Sequence, residues 1–463
     1  MRYLSTRGQA AALDFAGVTL AGLAPDGGLY VPEAWPALPP GLAEQLRGAP
    51  WTAAFAAALA PLAGDAPSPG ELAAIAAEVA AGFVHPEVTP LVPLGEGLWL
   101  LELHHGPTLA FKDVGLRTLA ALFRRLLPTG EQLTILGATS GDTGSAAIHA
   151  LKDVPGIRVV MLHPLGRTSE VQRRQMTCVD APGIHNIAIE GDFDAAQAIV
   201  KAILKSPPPG ARISAINSIN WARLAAQASY YLFAAARLPE GGTPPAFAVP
   251  TGNFGDVFAG YAAARMGLAV RRLIVATNMN DILHRALGAG DYSRAPVRPT
   301  QSPSMDIQVS SNFERLLFDL MDRAPARLAA AMAGFEATGR LALDAALTAA
   351  ARRWFDSAAI GEAETAATMG WAWDAHGRLV CPHSAVGLAA ARRARAAGLA
   401  GPVVVLETAH PAKFPDAVRA ATGQTPEPPA RLSAMLGGHE RFEVLPAEEG
   451  AIRKAVERVA LSA

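Results

Sequence analysis

From about residue 95 onward, short apolar runs alternate with amphipathic stretches, and this alternation limits the fold more than any other feature of the chain. Residues 133–136 read as a strand, followed by a glycine-rich loop and a helix from Ser145. Residues 158–162 read as the next strand, with a helix from about Ser169. Then come 187–189 before a helix over 193–204, 213–216 before 221–236, and 247–249 before 257–266. Residues 273–276 precede a further helix, and 403–406 precede one over 412–420. Buried apolar strands alternating with helices imply an α/β fold, with parallel sheets covered on both faces. Ligands in such sheets bind where strand ends turn into helices.

Two regions depart from the pattern. Residues 1–94 form a leading unit with alanine-rich helices over 51–62 and 70–83 and a short extended piece at Leu29-Tyr30-Val31-Pro32. No chemistry is expected there beyond packing. Residues 290–380 are less regular: a proline-rich loop over 292–303, then an alanine-rich helical region over 324–354, read as an insertion or bridge.

The 463 residues suffice for two or three domains. With 51% apolar and 17% charged residues, the chain suits a globular protein with large buried elements. A net charge of -1 gives no reason to expect nucleic acid or an anionic membrane as partner. No signal-type apolar core follows Met1-Arg2-Tyr3-Leu4-Ser5-Thr6-Arg7, and no apolar run is long enough to span a bilayer, so a cytoplasmic protein is expected. Cys178 and Cys381 lie in no metal-ligand spacing, and the histidines form no HExxH pattern, so no metal is expected.

Lysine is scarce, at positions 112, 152, 201, 205, 413 and 454 only. Arginine stays charged and cannot form an imine. Lys201 and Lys205 share the solvated face of a helix, and Lys152 and Lys454 sit in polar surroundings. Lys112 differs. It follows His104-His105-Gly106-Pro107-Thr108-Leu109-Ala110-Phe111, and a helix with apolar Leu116, Leu119, Leu122 and Phe123 starts just after it. A short connection between rigid parts suits an amine that must be fixed, partly desolvated and able to lose its proton near neutral pH. The alternative is a helix-start lysine paired with Asp113.

Four strand-end loops can meet such a lysine. Gly137-Ala138-Thr139-Ser140-Gly141-Asp142-Thr143-Gly144 combines backbone amides, a helix start and three hydroxyls, a site for a carboxylate. It lacks GxGxxG and the P-loop lysine, and an ordinary polar turn remains an alternative. Pro250-Thr251-Gly252-Asn253-Phe254-Gly255 has two glycines that let the backbone approach a phosphate. Asn217-Ser218-Ile219-Asn220-Trp221-Ala222-Arg223 offers amides, a hydroxyl and an arginine for a second phosphate, or else an Asn cap and a surface arginine. In Glu407-Thr408-Ala409-His410-Pro411-Ala412-Lys413-Phe414, Thr408 can offer a hydroxyl to a ring nitrogen; taken alone, His410 reads as a turn residue and Lys413 as a surface one.

In this order, and together with Tyr3-Leu4-Ser5-Thr6-Arg7-Gly8, Gly22-Leu23-Ala24-Pro25-Asp26-Gly27-Gly28-Leu29-Tyr30 and Ser302-Pro303-Ser304-Met305-Asp306, these stretches resemble the threonine synthase family, long form, over nearly the whole chain. The resemblance implies the tryptophan synthase β-like (type II) pyridoxal-phosphate fold: two three-layer αβα domains with parallel sheets and an extra, mostly helical N-terminal unit. It implies a unit over 1–94 and a catalytic region over 95–430, with a smaller subdomain at roughly 115–235 inserted in the larger one. A C-terminal extension over 431–463 would pack on the larger domain.

The implied reaction is O-phospho-L-homoserine and water to L-threonine and phosphate. The implied cofactor is pyridoxal 5'-phosphate, in an imine with Lys112. Gly252, Asn253, Phe254 and Gly255 would hold the cofactor phosphate, and Thr408 would face the ring nitrogen. Thr139, Ser140 and Thr143 would bind the substrate carboxylate, and Asn217, Ser218 and Arg223 its phosphate. Asp142, counted with the substrate residues, stands where wider relatives carry an Asn that donates to the ring oxygen. An ionised Asp cannot donate, so Asp142 is either protonated or turned toward other groups. A monomer or homodimer is expected. The rival readings are another type II enzyme, such as a serine/threonine dehydratase, and a non-catalytic cofactor-binding relative.

Overall fold

The computed structural model describes residues 1–462 apart from Ser140, residues 216–218 and Gly241. Two sheets carry the chemistry-bearing loops. The larger has six strands in the order Phe355–Ala359, Arg272–Thr277, Ala246–Pro250, Val403–Glu407, Leu98–Glu102 and Leu91–Gly95. All its neighbours are parallel except the last pair, an antiparallel hairpin. The smaller has five parallel strands in the order Glu443–Pro446, Ile184–Glu190, Ile157–Pro164, Leu133–Ala138 and Ile213–Ala215.

Period-two alternation explains the layering. Phe247, Val249, Leu273, Val275, Val404 and Leu406 face one core, with Tyr231 and Phe258 from the helices Trp221–Arg237 and Gly255–Arg265. Ala246, Ala248, Ile274, Ala276, Val403 and Val405 face the other, under the helices Glu362–His376 and Pro382–Ala396. Every residue of Ala246–Pro250 and Val403–Glu407 is buried, which is why these strands read as unbroken apolar runs.

The leading unit, expected to do no more than pack, shares one core with the rest of the chain. Tyr3, Trp51, Phe55 and Leu59 belong to the same apolar core as the helices Lys112–Leu126 and Trp221–Arg237, and the Tyr3 and Trp221 rings lie 5.7 Å apart. Several expectations need correction. The C-terminal extension packs on the smaller sheet, not the larger one. Glu443–Pro446 pairs with Ile184–Glu190, and Ile452, Val456 and Val459 of the helix Glu449–Ala460 cover Leu136, Val160 and Ile189. Residues 290–380 supply the edge strand Phe355–Ala359 and the helix Glu362–His376, so this region completes the larger sheet. Residues 412–420 do not form one helix: a 3-10 turn, Pro411–Lys413, precedes the helix Pro415–Thr422.

Candidate active site

Lys112 is the first residue of the helix Lys112–Leu126, not part of the connection before it. The connection is tied down. Phe111 N–H donates to the Thr408 carbonyl at 2.9 Å, and His410 N–H donates to the Leu109 carbonyl at 3.0 Å. Asp113 accepts from the Thr108 amide at 2.8 Å and the Thr108 hydroxyl at 2.7 Å, so it is not the partner of Lys112. A Cβ at Gly106 would sit 2.4 Å from Asp113 Oδ2, so a residue without a side chain is needed for this turn to close. A helix start disfavours an ammonium, because the unpaired amides carry partial positive charge.

Lys112 opens onto a cleft of about 680 Å³, solvent at its mouth included. Gly252, Asn253, Phe254, Gly255 and Thr408 line the same cleft, as do Asp142, Thr143 and Arg223. The cleft therefore joins four strand ends across the two sheets. The turn over 252–255 enters the helix Gly255–Arg265 through Phe254, which holds φ 62°. A left-handed conformation costs a non-glycine residue about 1 kcal/mol or more. Phe254 is held there by a buried ring packed 5.4 Å from Phe313 and 5.5 Å from Phe355. Its φ turns the backbone into the helix start, where amides gather for an anion.

Arg223 is 2% exposed, and its Nε and Nη1 have no hydrogen-bond partner among the described residues. Burial lowers its pKa to about 10, with Tyr230 and Asp256 opposing that fall. Gln227 Nε2, one turn on, is also without a partner. Buried donors left open are costly unless a ligand accepts from them, so this wall of the cleft suits an anion. Gly115 makes room for Arg223: a Cβ there would lie 2.6 Å from Arg223 Cγ. Behind Arg223, Asp256 is pushed up to about 6 by burial, and the Tyr230 and Tyr231 hydroxyls donate to it.

Asp142 is ionised. Its pKa lies well below the usual carboxylate range: burial opposes this, but Lys413 and Lys112 hold the negative charge. Lys413 Nζ lies 2.6 Å from Oδ1 and Lys112 Nζ 3.4 Å from Oδ2. Gln172 Nε2 and the Ser304 hydroxyl also donate to it, at 3.0 and 3.1 Å. Of the two alternatives for Asp142, the carboxylate turned toward other groups is the one observed. Thr139 is not among the cleft-lining residues; its hydroxyl oxygen accepts from Gly141 N–H and Gly144 N–H, both at 2.9 Å, and so shapes the loop from beneath. Ser140, Asn217 and Ser218 lie outside the described residues.

Sequence reasoning missed four groups. Lys413 is not at the surface; its side chain is 0% exposed. Ser304 and Met305, from the irregular region, line the cleft. His383 lines it too, accepting from Ser304 N–H at 3.1 Å, and burial lowers its pKa to about 3, so it is neutral. The signal for Lys413 was its placement between Ala412 and Phe414, apolar neighbours that a solvated lysine does not need.

A buried lysine, an amide-rich helix start across the cleft and two parallel sheets in αβα layers define the class: a pyridoxal-phosphate-dependent enzyme of the type II fold. Residues 83–351 match the family model described as pyridoxal-phosphate dependent enzyme. Residues 2–88 and 384–456 match the models for the threonine synthase N terminus and C-terminal part. The threonine synthase of Pseudomonas aeruginosa is 47% identical over 452 residues, covering 97% of this chain and 96% of the relative. The crystal structure of PLP-bound threonine synthase from Brucella melitensis superposes with a TM-score of 0.94 at 43% identity, covering 100% of both chains. That of the yeast threonine synthase gives 0.92 at 34% identity, over 99% of this chain and 98% of the yeast one. The chain belongs to the threonine synthase family.

Proposed function

We propose that this protein converts O-phospho-L-homoserine and water to L-threonine and phosphate with pyridoxal 5'-phosphate as cofactor, and that Lys112 is the amine to which the cofactor's aldehyde attaches. The observation that carries this reading is that Lys112 and the turn over 252–255 face one cleft, in a chain that matches threonine synthases from end to end. The residues present fit the cofactor: a buried amine on one wall and a helix start with free amides on another.

When bound, the cofactor supplies a conjugated ring that takes up the electron pair left when a proton leaves the substrate's α carbon. The chain's own residues do the rest. Gly252, Asn253, Phe254 and Gly255 hold the cofactor phosphate with backbone amides. Thr408, which lines the cleft, would hold the ring nitrogen; its neutral hydroxyl would not enforce a protonated ring. Thr143 and the helix start behind it hold the substrate carboxylate, with Thr139 shaping that turn and Ser140 joining it. Arg223, with Asn217 and Ser218, holds the substrate phosphate. Lys112 takes the α proton. The α carbon regains a proton before threonine leaves, so the net reaction removes a proton from the β carbon and adds one at the γ carbon; a mobile amine near all three carbons can serve each transfer. The hydroxyl of threonine comes from water adding at the β carbon.

The N-terminal unit over 1–94 and the region over 95–430 are read as parts of one enzyme. No described helix is long and apolar enough to cross a membrane, and a cytoplasmic location and a monomer or homodimer remain part of the proposal. The test is product analysis of the purified protein with O-phospho-L-homoserine, followed by borohydride reduction and mapping of the labelled lysine. Threonine and phosphate in equal amounts, with the label on Lys112, are expected. No threonine, or a label on Lys413, would sink the reading.

A further inference from the structure

Lys413 has no part in the reaction as set out above, although it is the more deeply buried of the two lysines at Asp142. Its ammonium donates to Asp142 Oδ1 at 2.6 Å and to the Thr108 carbonyl at 2.9 Å. Gln175 Nε2 donates to the same carbonyl at 3.2 Å. One side chain thus ties together three segments: its own turn after Val403–Glu407, the turn before Lys112, and the start of the helix Asp142–Leu151. The four donors to Asp142 differ in charge. Gln172 and Ser304 are neutral, and Lys112 and Lys413 compete as cations for one negative charge. Coulomb attraction falls with distance, so the nearer ammonium takes the larger share.

We propose that Lys413 is a positioning residue: by occupying Asp142 it leaves Lys112 without a full counter-charge, so that the Lys112 amine can give up its proton inside the cleft. This rests on the reading of Lys112 as the cofactor-bearing lysine and deepens it. The charged and titratable groups that face Lys112 are Asp142, Lys413, Arg223, Asp256 and His383. Those that face Lys413 are Asp142, Lys112, Asp113, His149 and His383. Burial is the largest influence on Lys112 and lowers its pKa; Asp142 opposes this, and Lys413 and Arg223 add to it. The other carboxylates do not restore the balance. Asp113 accepts from Thr108; Tyr230 and Tyr231 both donate to Asp256 Oδ1, its Oδ2 has no partner among the described residues, and neither carboxylate forms an ion pair with Lys112 among those residues. His149 and His383 are held neutral, at about 4 and about 3. With Lys413 removed, Asp142 would turn its charge wholly to Lys112 and hold it as the ammonium.

The experiment uses the full-length chain freed of cofactor and labelled competitively with acetic anhydride over roughly pH 6 to pH 10, with acetylation of Lys112 read by mass spectrometry. Lys413→Met should raise the Lys112 midpoint by about one pH unit or more, a roughly tenfold fall in its neutral fraction below the midpoint. Asp142→Asn should lower it, and adding Asp142→Asn to Lys413→Met should bring the midpoint back down. In the cofactor-loaded chain, the pH midpoint of the visible absorption band should move in the same directions. A folded Lys413→Met protein, with wild-type circular dichroism and an unmoved midpoint, would overturn the proposal. If Lys413→Met does not fold, Asp142→Asn decides: a midpoint unmoved or raised overturns it equally. Because the labelling needs neither cofactor nor substrate, its result is separate from whether threonine is formed.

Discussion

Two buried charge clusters stand at the ends of the connection that leads from Glu102 to Lys112, and they are built in opposite ways. The cleft cluster sets one carboxylate, Asp142, between two lysine ammoniums. The rear cluster sets two carboxylates, Glu102 and Glu407, against one guanidinium. Arg378 Nη2 donates to Glu102 Oε1 and lies 3.6 Å from Glu407 Oε2. His105 Nε2 lies 2.7 Å from Glu102, and His104 Nε2 3.5 Å from Glu407. Glu102, His104 and His105 each bring one ligand atom within 4.8 Å of the others, but Arg378 already supplies the positive charge a metal would bring. An excess of cations lowers the proton affinity of an amine, whereas an excess of carboxylates anchors an arginine. On the proposed reading, the first arrangement serves chemistry at Lys112. The second fixes the end of Val403–Glu407, from which Thr408 projects, and the start of the connection that leads to Lys112.

The comparison breaks most sharply at Lys112. Lys112→Ala should lower threonine formation by roughly 10³-fold or more, since on the proposed reading it removes both the cofactor attachment and the proton carrier. The fold should be little changed, because the cleft gains space but loses only the weaker of its two ammonium pairs. Steady-state turnover near the wild-type rate would refute the role. Arg223→Leu is expected to act next, raising KM for O-phospho-L-homoserine by about 10- to 100-fold through the loss of charge-assisted donors to phosphate. It should affect kcat less than KM, and unchanged kinetics would remove Arg223 from the phosphate site.

The rear cluster should respond in stability and not in chemistry. Arg378→Met leaves Glu102 and Glu407 facing each other with only histidines near. Breaking a fully buried pair costs about 3–5 kcal/mol. Arg378 is 33% exposed, so solvent screening reduces the expected loss to about 1–2 kcal/mol. Urea denaturation should report that loss, while kcat stays within a few-fold of wild type. A large fall in kcat with stability intact would erase the distinction between the clusters.

How far each cluster could be read from sequence follows from how its parts are built. Thr143, Thr408 and the turn over 252–255 were legible because central parallel strands are buried on both faces and announce themselves as apolar runs. The loops at their ends are then easily located. Lys112 was legible because lysine is scarce and this one follows a Gly-Pro turn. Lys413 was missed despite its apolar neighbours Ala412 and Phe414, because a lysine reads as solvated unless its partner is known, and Asp142 lies in a distant part of the chain. Two edge strands were missed for a related reason. Phe355–Ala359 contains half-exposed and exposed positions, and every residue of Glu443–Pro446 is at least partly exposed, so neither shows an apolar run. With Glu443–Pro446 unseen, the C-terminal extension was assigned to the wrong sheet. Arg223 read equally as a surface residue, and only the missing side chain of Gly115 allows the approach that buries it.

The smallest effect expected is a shared one, and it tests whether the clusters differ when protons are added. Burial lowers His383 at the cleft to about 3 and His410 at the rear to about 3, both from the ordinary 6.5. His149, near Lys413, falls to about 4. A histidine held neutral in the fold takes up its proton more readily when unfolded. Its contribution to stability is therefore complete above pH 6.5 and is lost as pH falls toward these folded values. Glu102, lowered to about 2 by its hydrogen bonds to His105 and Arg378 against the opposing effect of burial, contributes above its ordinary 4.5 and loses that contribution only as pH falls toward 2. Between pH 6.5 and 4.5 the three histidines should outweigh Asp256, which is pushed up to about 6 by burial and opposes them by taking up its proton in the fold, so the urea midpoint should decline over that interval and steepen below it. His383→Asn, which can still accept from Ser304 N–H, should flatten the upper part of the decline. A midpoint level from pH 6.5 to 4.5 would mean that these histidines are protonated within the fold. The positive charge around Asp142 would then be larger than the cleft cluster as described can carry.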